Sequence, residues 1–253
     1  MLLYKYQHIR DDIPPENNKC IENIFNAQVV FSSRKNFNDL FDSKIYFRKP
    51  RREQVRNFRK SIPKEIRAIF DSKTFGQVNF YNKLHIETEK LIDSYYFYCL
   101  TTDPLNNLMW SHYANSHKGF CIEWDSTEMC PDEVIYSNDL ATIDLLDIAK
   151  SDLSLIDKGV LGDKLWAALR TKLHYWSYEN EFRIKLRHSM NDLIMHKNEK
   201  FCIVSADPKW IKSIIFGVRC SEDVKTYIMK NIPHKVSFKQ CVINNSIIYT
   251  KPI

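Results

Sequence analysis

The chain has 253 residues, of which 44% are hydrophobic and 13% aromatic, with a net charge of +6. That is enough apolar material for a sizeable core, and the absence of low-complexity linkers or a fixed repeat period favours one compact domain over 1–253. Only five glycines are present, which argues against a Gly-rich architecture that cradles phosphates.

Seven cysteines are scattered through the sequence and none forms a CxxC pair, so neither a zinc ribbon nor a thioredoxin-like site is signalled. Several lie inside apolar runs and read as small core residues of a protein in a reducing compartment. The opening "MLLYKYQHIR" has too short an apolar stretch for a signal peptide, and no run approaches the ~20 apolar residues of a membrane span. The expectation is a cytoplasmic chain with no membrane partner.

In chain order, "LLYKY" (2–6) reads as a strand. "PPENNKCIENIFNA" (14–27) has prolines at a helix start and apolar residues at helical spacing. "VVFSS" (29–33) is a strand candidate running into "RKNFNDLFDS", where Asn and Asp favour a structured turn with Phe37 and Phe41 anchored inward. The run "RKPRREQVRNFRK" (48–60) carries seven basic residues against one acid. It reads either as a solvated helix start or as a phosphate-gripping patch able to bind nucleic acid, although no base-stacking aromatics interleave with the charges. Residues 51–93 read as mainly helical.

"YYFYCLTT" (95–102) is a buried-type strand. "DPLNNLMWSHYAN" follows as a helix, with Asp103 as N-cap and Pro104 at the first helical position. Strands are expected at 119–124 and 133–137, two helices across 141–175, then strands at 178–186, "FCIVS", "SIIFGV", 235–243 and "SIIYT", with a helix near 221–231. Strands and helices do not alternate strictly, so the class is α+β with a mainly antiparallel sheet and flanking helices.

Three segments carry candidate chemistry. In "YENEFRIK", alternation along a strand places Tyr178, Asn180, Phe182 and Ile184 on one side, and Glu179, Glu181, Arg183 and Lys185 on the other. The charged side is either the wet face of a surface strand or the lining of a cleft in which one carboxylate stabilises developing positive charge and the other positions an acceptor. "NFNDLFD" (36–42) reads as an Asn/Asp-stabilised turn. "MWSHYANSHKGFCIEWD" (109–125) reads as a helix-to-strand corner; His112, His117 and Cys121 match no zinc spacing, so no metal is expected.

The ordered set "LYKY", "FSSRKNFNDLFD", "CLTTDPLNNLMWSHYANSHKGFCIEWD", "VIYS", "WSYENEFRI" and "IIFGVR" resembles a bacterial domain-of-unknown-function family, numbered twenty-nine seventy-one. The resemblance runs from Leu3 to about Arg219. One departure is Leu40, where the family carries a turn proline. The family is in turn similar to ADP-ribosyltransferases, which implies an ADP-ribosyltransferase-like fold and NAD as substrate.

On that resemblance Glu181 matches the late-strand catalytic glutamate, and Glu179 gives the Glu-x-Glu arrangement associated with an arginine acceptor. Ser32, Ser33 or Thr101 supplies the hydroxyl. The first-strand position falls on Lys5 or Tyr6, where the family often has histidine. Trp110, Tyr113 or Phe37 would stack on nicotinamide or adenine, and Arg34, Lys118 or Arg183 would meet the pyrophosphate. Asn38 and His112, within the motifs, complete the candidate cofactor-binding set. The implied partners are a small nucleotide and a protein acceptor. The rival reading is a non-catalytic or nucleic-acid-associated module of a phage-defence or toxin system acting through 48–60.

Overall fold

The computed structural model describes residues 1–74 and 79–253. Its elements run β1 (Leu2–Gln7), α1 (Lys19–Phe25), β2 (Gln28–Ser33), β3 (Ile45–Arg48), α2 (Arg52–Ser61), α3 (Lys64–Thr74) and α4 (Phe80–Asp93). Next come β4 (Tyr96–Thr101), α5 (Asn107–Tyr113), β5 (Phe120–Asp125), β6 (Asp132–Glu133), β7 (Ile135–Ser137), β8 (Ala141–Asp144), α6 (Leu145–Asp152), α7 (Lys158–Leu169) and β9 (Thr171–Leu173). The chain ends with β10 (Glu181–Lys185), β11 (Ile194–Lys197), β12 (Phe201–Ser205), β13 (Ile211–Phe216), α8 (Glu222–Asn231), β14 (Ser237–Asn244) and β15 (Ile247–Pro252). The class is α+β with a mainly antiparallel sheet, as the sequence pattern predicts. Of the helical stretch expected at 51–93, residues 75–78 lie outside the described residues.

Two compact units emerge. The first comprises Met1–Asn36, Tyr96–Val134 and Tyr175–Ile253. It holds a mixed sheet in the order β11-β12-β2-β4-β1-β5-β13-β14-β15, with β10 pairing β4 and β6 off that path. All its pairings are antiparallel except β13 with β14. One face carries Leu3, Phe31, Tyr98, Leu100, Phe120, Ile122, Trp124, Ile214 and Phe216, packed with Ile21 and Ile24 of α1 and Val224 and Ile228 of α8. The other face carries a smaller apolar cluster, in which Tyr6, Cys121, Ile215 and Cys241 meet Met109, Trp110 and Ala114.

The second unit comprises Phe37–Tyr95 and Ile135–His174. It contains the parallel pairs β3–β8 and β7–β9, of which β3, β8 and β9 lie in stretches the sequence pattern left as turn or helix. The "NFNDLFDS" turn belongs here except for its first residue. Of the two phenylalanines expected inward, Phe37 is half-buried and Phe41 is 45% exposed, whereas Asp42 and Ser43 are buried. Ser43 Oγ donates to the Leu169 carbonyl (2.8 Å), and Lys172 meets Asp42 at 3.4 Å with both side chains buried. Polar chain-tying at 42–43, rather than aromatic anchoring, fixes this turn.

Among the described residues no helix is long and apolar enough to cross a membrane, and none of the His, Cys, Asp and Glu side chains form a group of three or more able to hold a metal ion.

Candidate functional site: a polar row across the sheet of the first unit

Helix α5 begins three residues later than the sequence suggests. Asn106, not Asp103, is the N-cap: its Oδ1 accepts from the backbone N–H of Leu108 (2.9 Å) and Met109 (3.2 Å). Asp103 instead accepts from Leu105 N–H at 2.8 Å, closing an Asx turn before the helix. The Asn106 side chain also donates to the Tyr178 carbonyl at 2.8 Å. Two helical turns along, the Tyr113 hydroxyl donates to Glu179 Oε1 at 2.7 Å. One helix therefore grips the segment before β10 at two points.

That segment is a 3-10 turn over His174–Glu179, not the start of the strand. Asn180 has φ of 43°, a left-handed conformation that asparagine tolerates better than most residues. The strand proper starts at Glu181. Glu179 and Glu181 are thus not related by strand alternation, and of the two readings of the charged side the wet face does not hold: Glu179 is 3% exposed, Glu181 4% and Arg183 0%. Glu181 and Arg183 do share a face, and they pair through Nε–Oε1 (2.7 Å) and Nη2–Oε2 (3.2 Å). A fully buried guanidinium engaged in this way is not presented to a pyrophosphate, which corrects that expectation; Arg183 orients Glu181.

The cross-strand register shows how the fold organises this face. Glu181 stands opposite Thr101 in β4, Thr101 opposite Tyr4 in β1, Tyr4 opposite Glu123 in β5, and Glu123 opposite Ser213 in β13. Five polar side chains therefore form one transverse row. At one end, Thr101 Oγ1 donates to the Glu179 carbonyl (2.6 Å) and accepts from Asp103 N–H (3.1 Å), so both carboxylate-bearing residues are tied to the same threonine. At the other end, Glu123 accepts from Tyr4 (3.0 Å), Lys239 (2.8 Å) and the Ser213 hydroxyl. Burial raises the Glu123 pKa, but the donors Lys239 and Ser213 outweigh it and hold the carboxyl below its usual range. Three steps of about 4.8 Å separate Glu123 from Glu181, roughly 14 Å. Burial, and then the Glu181 carboxylate, push the Cys99 thiol well above its ordinary range, leaving it neutral and unreactive.

The remaining predicted residues divide. Tyr6 is buried, donates to the Asp103 carbonyl (2.8 Å) and meets the Trp110 ring edge-on at 5.0 Å. Trp110 is fully buried, with its indole N–H on the Pro104 carbonyl (2.9 Å), so it is a core residue and offers no open stacking platform. Ser32 shares the sheet face of Glu181, but its register partner Phe97 lies four residues from Thr101, roughly 13 Å along β4. Ser33 points to the opposite face and is fully buried. Lys5 sits over the Tyr98 ring and donates to the Cys99 carbonyl. His112 is exposed beside Tyr113, and Lys118 pairs with Asp11 at the surface. Arg34 is half-buried in the 3-10 turn after β2. Phe37 and Asn38 belong to the second unit.

Of the hydroxyl candidates, Thr101 is the one brought to the acidic pair. Glu123, Tyr4 and Ser213 went unassigned in the sequence. The available signal was a single glutamate inside the apolar run "GFCIEW", at a position where alternation demands an inward side chain.

Residues 109–184 match the protein family described as "Protein of unknown function (DUF2971)". The match covers under a third of the chain, and that segment is similar to the family. The matched segment contains Met109–Tyr113 of α5, Glu123, Glu179, Glu181 and Arg183, hence two of the five residues of the row and the part of α5 that bears Tyr113. No curated protein matches, and no solved structure matches.

Proposed function

We propose that this protein acts on NAD by ADP-ribosyl transfer or NAD glycohydrolysis, on an ADP-ribosyltransferase-like frame. The observation supporting the reading is that Glu181 faces Thr101 at the register point to which Glu179 is also tied. In the proposed reaction the bond between ribose C1′ and the nicotinamide nitrogen breaks, and nicotinamide leaves with the bonding pair. A bond then forms from C1′ to water or to an acceptor nucleophile, whose proton passes to solvent. Glu181, kept oriented by Arg183, offsets the positive charge of the oxocarbenium-like state; Glu179, held by Tyr113, orients the acceptor. Because both carboxylates are buried, substrate entry has to uncover them.

The test is nicotinamide release from NAD by the natural chain and by Glu181→Gln. Loss of a charged contact made only in the transition state lowers the rate about 100- to 1000-fold. Equal rates, or no release by the natural chain, refute the reading.

A second reading rests on α2. Arg48 and Arg59 are taken up by Asp144 and Asp71, while Lys49, Arg51, Arg52, Arg56 and Lys60 are exposed on and before the helix. That surface favours a nucleic-acid partner, for which the signature is binding that weakens steeply with salt.

A further inference from the structure

The first unit contains a pocket of about 330 Å³ away from the polar row's own residues, lined by neither glutamate. His117 and Arg219 line it, together with the apolar Val218, Ile243 and Ile248 and the polar Asn107 and Asn245. Among the described residues no acidic one lines it. Arg219 is exposed and, among the described residues, takes part in no ion pair.

The basic side of this pocket is built, not incidental. Asn115, Ser116 and His117 are three consecutive residues with positive φ, at 47°, 52° and 71°. Such conformations cost about 1–3 kcal/mol each and persist only where the surroundings impose them. Here His117 N–H donates to the Trp110 carbonyl (3.2 Å), and the His117 carbonyl accepts from Arg219 N–H (3.0 Å). The His117 ring stacks on Trp110 at 6.2 Å with an interplanar angle of 14°. Gly217 allows the close crossing of the two chains, since a Cβ there would lie 2.2 Å from the His117 carbonyl oxygen. The backbone bond from Arg219 to His117 thus holds the two basic residues side by side.

We propose that this pocket binds a nucleoside phosphate. The guanidinium of Arg219 beside His117 receives the phosphate, because paired donors on a planar cation match its oxygens. The volume exceeds what an inorganic anion fills and lies in the small-molecule range. Val218, Ile243 and Ile248 offer an apolar surface to the nucleoside, and the side-chain amides of Asn107 and Asn245 carry the adjacent donor and acceptor needed to pair with a base edge. The inference is independent of the NAD reading, since it concerns binding without turnover.

The experiment is titration calorimetry at low ionic strength with three probes, AMP, adenosine and inorganic phosphate, on the full chain and on Arg219→Ala. This substitution changes an exposed side chain and keeps the backbone bond to His117. AMP should bind at least about tenfold more tightly than either adenosine or phosphate, and Arg219→Ala should remove the advantage over adenosine. AMP binding no tighter than adenosine or phosphate, equal binding by Arg219→Ala, or no binding of AMP at millimolar concentration would overturn the assignment.

Discussion

The Glu181–Arg183 pair is the most exacting element of the candidate site, and replacing Glu181 with glutamine tests whether it is buried and ionised. The two side chains are 5% and 0% exposed, with contacts of 2.7 and 3.2 Å. Removing one partner of such a buried pair costs about 3–5 kcal/mol, because the remaining charge loses its compensation away from water. Glutamine keeps an acceptor oxygen, so the lower end, about 3 kcal/mol, applies. For a chain of this size each kcal/mol moves the melting temperature by about 2–4 °C, giving a fall of roughly 6–12 °C. Thermal unfolding followed by circular dichroism measures it. The double variant Glu181→Gln/Arg183→Gln removes both charges, so its loss should be clearly smaller than the sum of the single losses. A single variant melting within about 1 °C of the natural chain, or strictly additive losses, would refute the buried ion pair. The same melts also show whether a loss of nicotinamide release in Glu181→Gln exceeds what unfolding explains.

Two further outcomes are expected. Gly217→Ala should unfold the chain or lower its melting temperature severely, since the added Cβ meets the His117 carbonyl oxygen at 2.2 Å and the Gly119 oxygen at 2.9 Å. Gly162→Ala, inside α7 with nothing within 4 Å, should raise stability by about 0.5–1 kcal/mol in urea unfolding; equal effects of the two would remove the case for a close crossing at 217. Burial, and then Arg219, lower the His117 pKa in the folded chain, so the unfolded chain takes up the proton first as pH falls. Stability from this group is therefore complete above about pH 6.5 and declines below it, and His117→Asn, which tolerates positive φ, should show a shallower decline from pH 6.5 downward in urea unfolding; an unchanged slope would refute the lowered His117 pKa.

Where the chain's local signals agree with its packing, the sequence was readable. "FCIVS" is β12 to the residue, and the β-branched and aromatic runs at 29–33, 95–102 and 119–124 lie within one or two residues of β2, β4 and β5. The strands at Ile45–Arg48, Ala141–Asp144 and Thr171–Leu173 were hidden because each is a short parallel partner, paired far along the chain and flanked by helix-forming residues. The site was half legible. Glu179 meets Tyr113, and its carbonyl meets Thr101 opposite Glu181, but strand alternation was extended three residues too far. The sequence shows an asparagine at 180, and only the fold shows that its left-handed backbone ends a 3-10 turn and begins a strand there. Burial of Arg183 was equally unreadable, because a charged residue every second position looks the same on a wet strand and on a strand whose charges are paired inside.

The register explains why so many polar groups can occupy the interior of one sheet face. A one-residue slip of any strand would send its member of the row to the apolar face beside Trp124 and Leu100. Two members also have partners that exist only in the native pairing: Ser213 and Tyr4 for Glu123, and the Glu179 carbonyl for Thr101. The row therefore opposes mispairing of five strands at once, and an inert version of the protein would be expected to keep Glu123, Tyr4 and Ser213 for that reason alone. The same argument does not account for Glu179 and Tyr113. They lie on a turn and a helix outside the ladder, where no register is at stake, and a phenylalanine and a glutamine would satisfy packing as well. It is this pair, placed against the register-locked Thr101–Glu181 end of the row, that gives the acidic corner a composition beyond what folding requires.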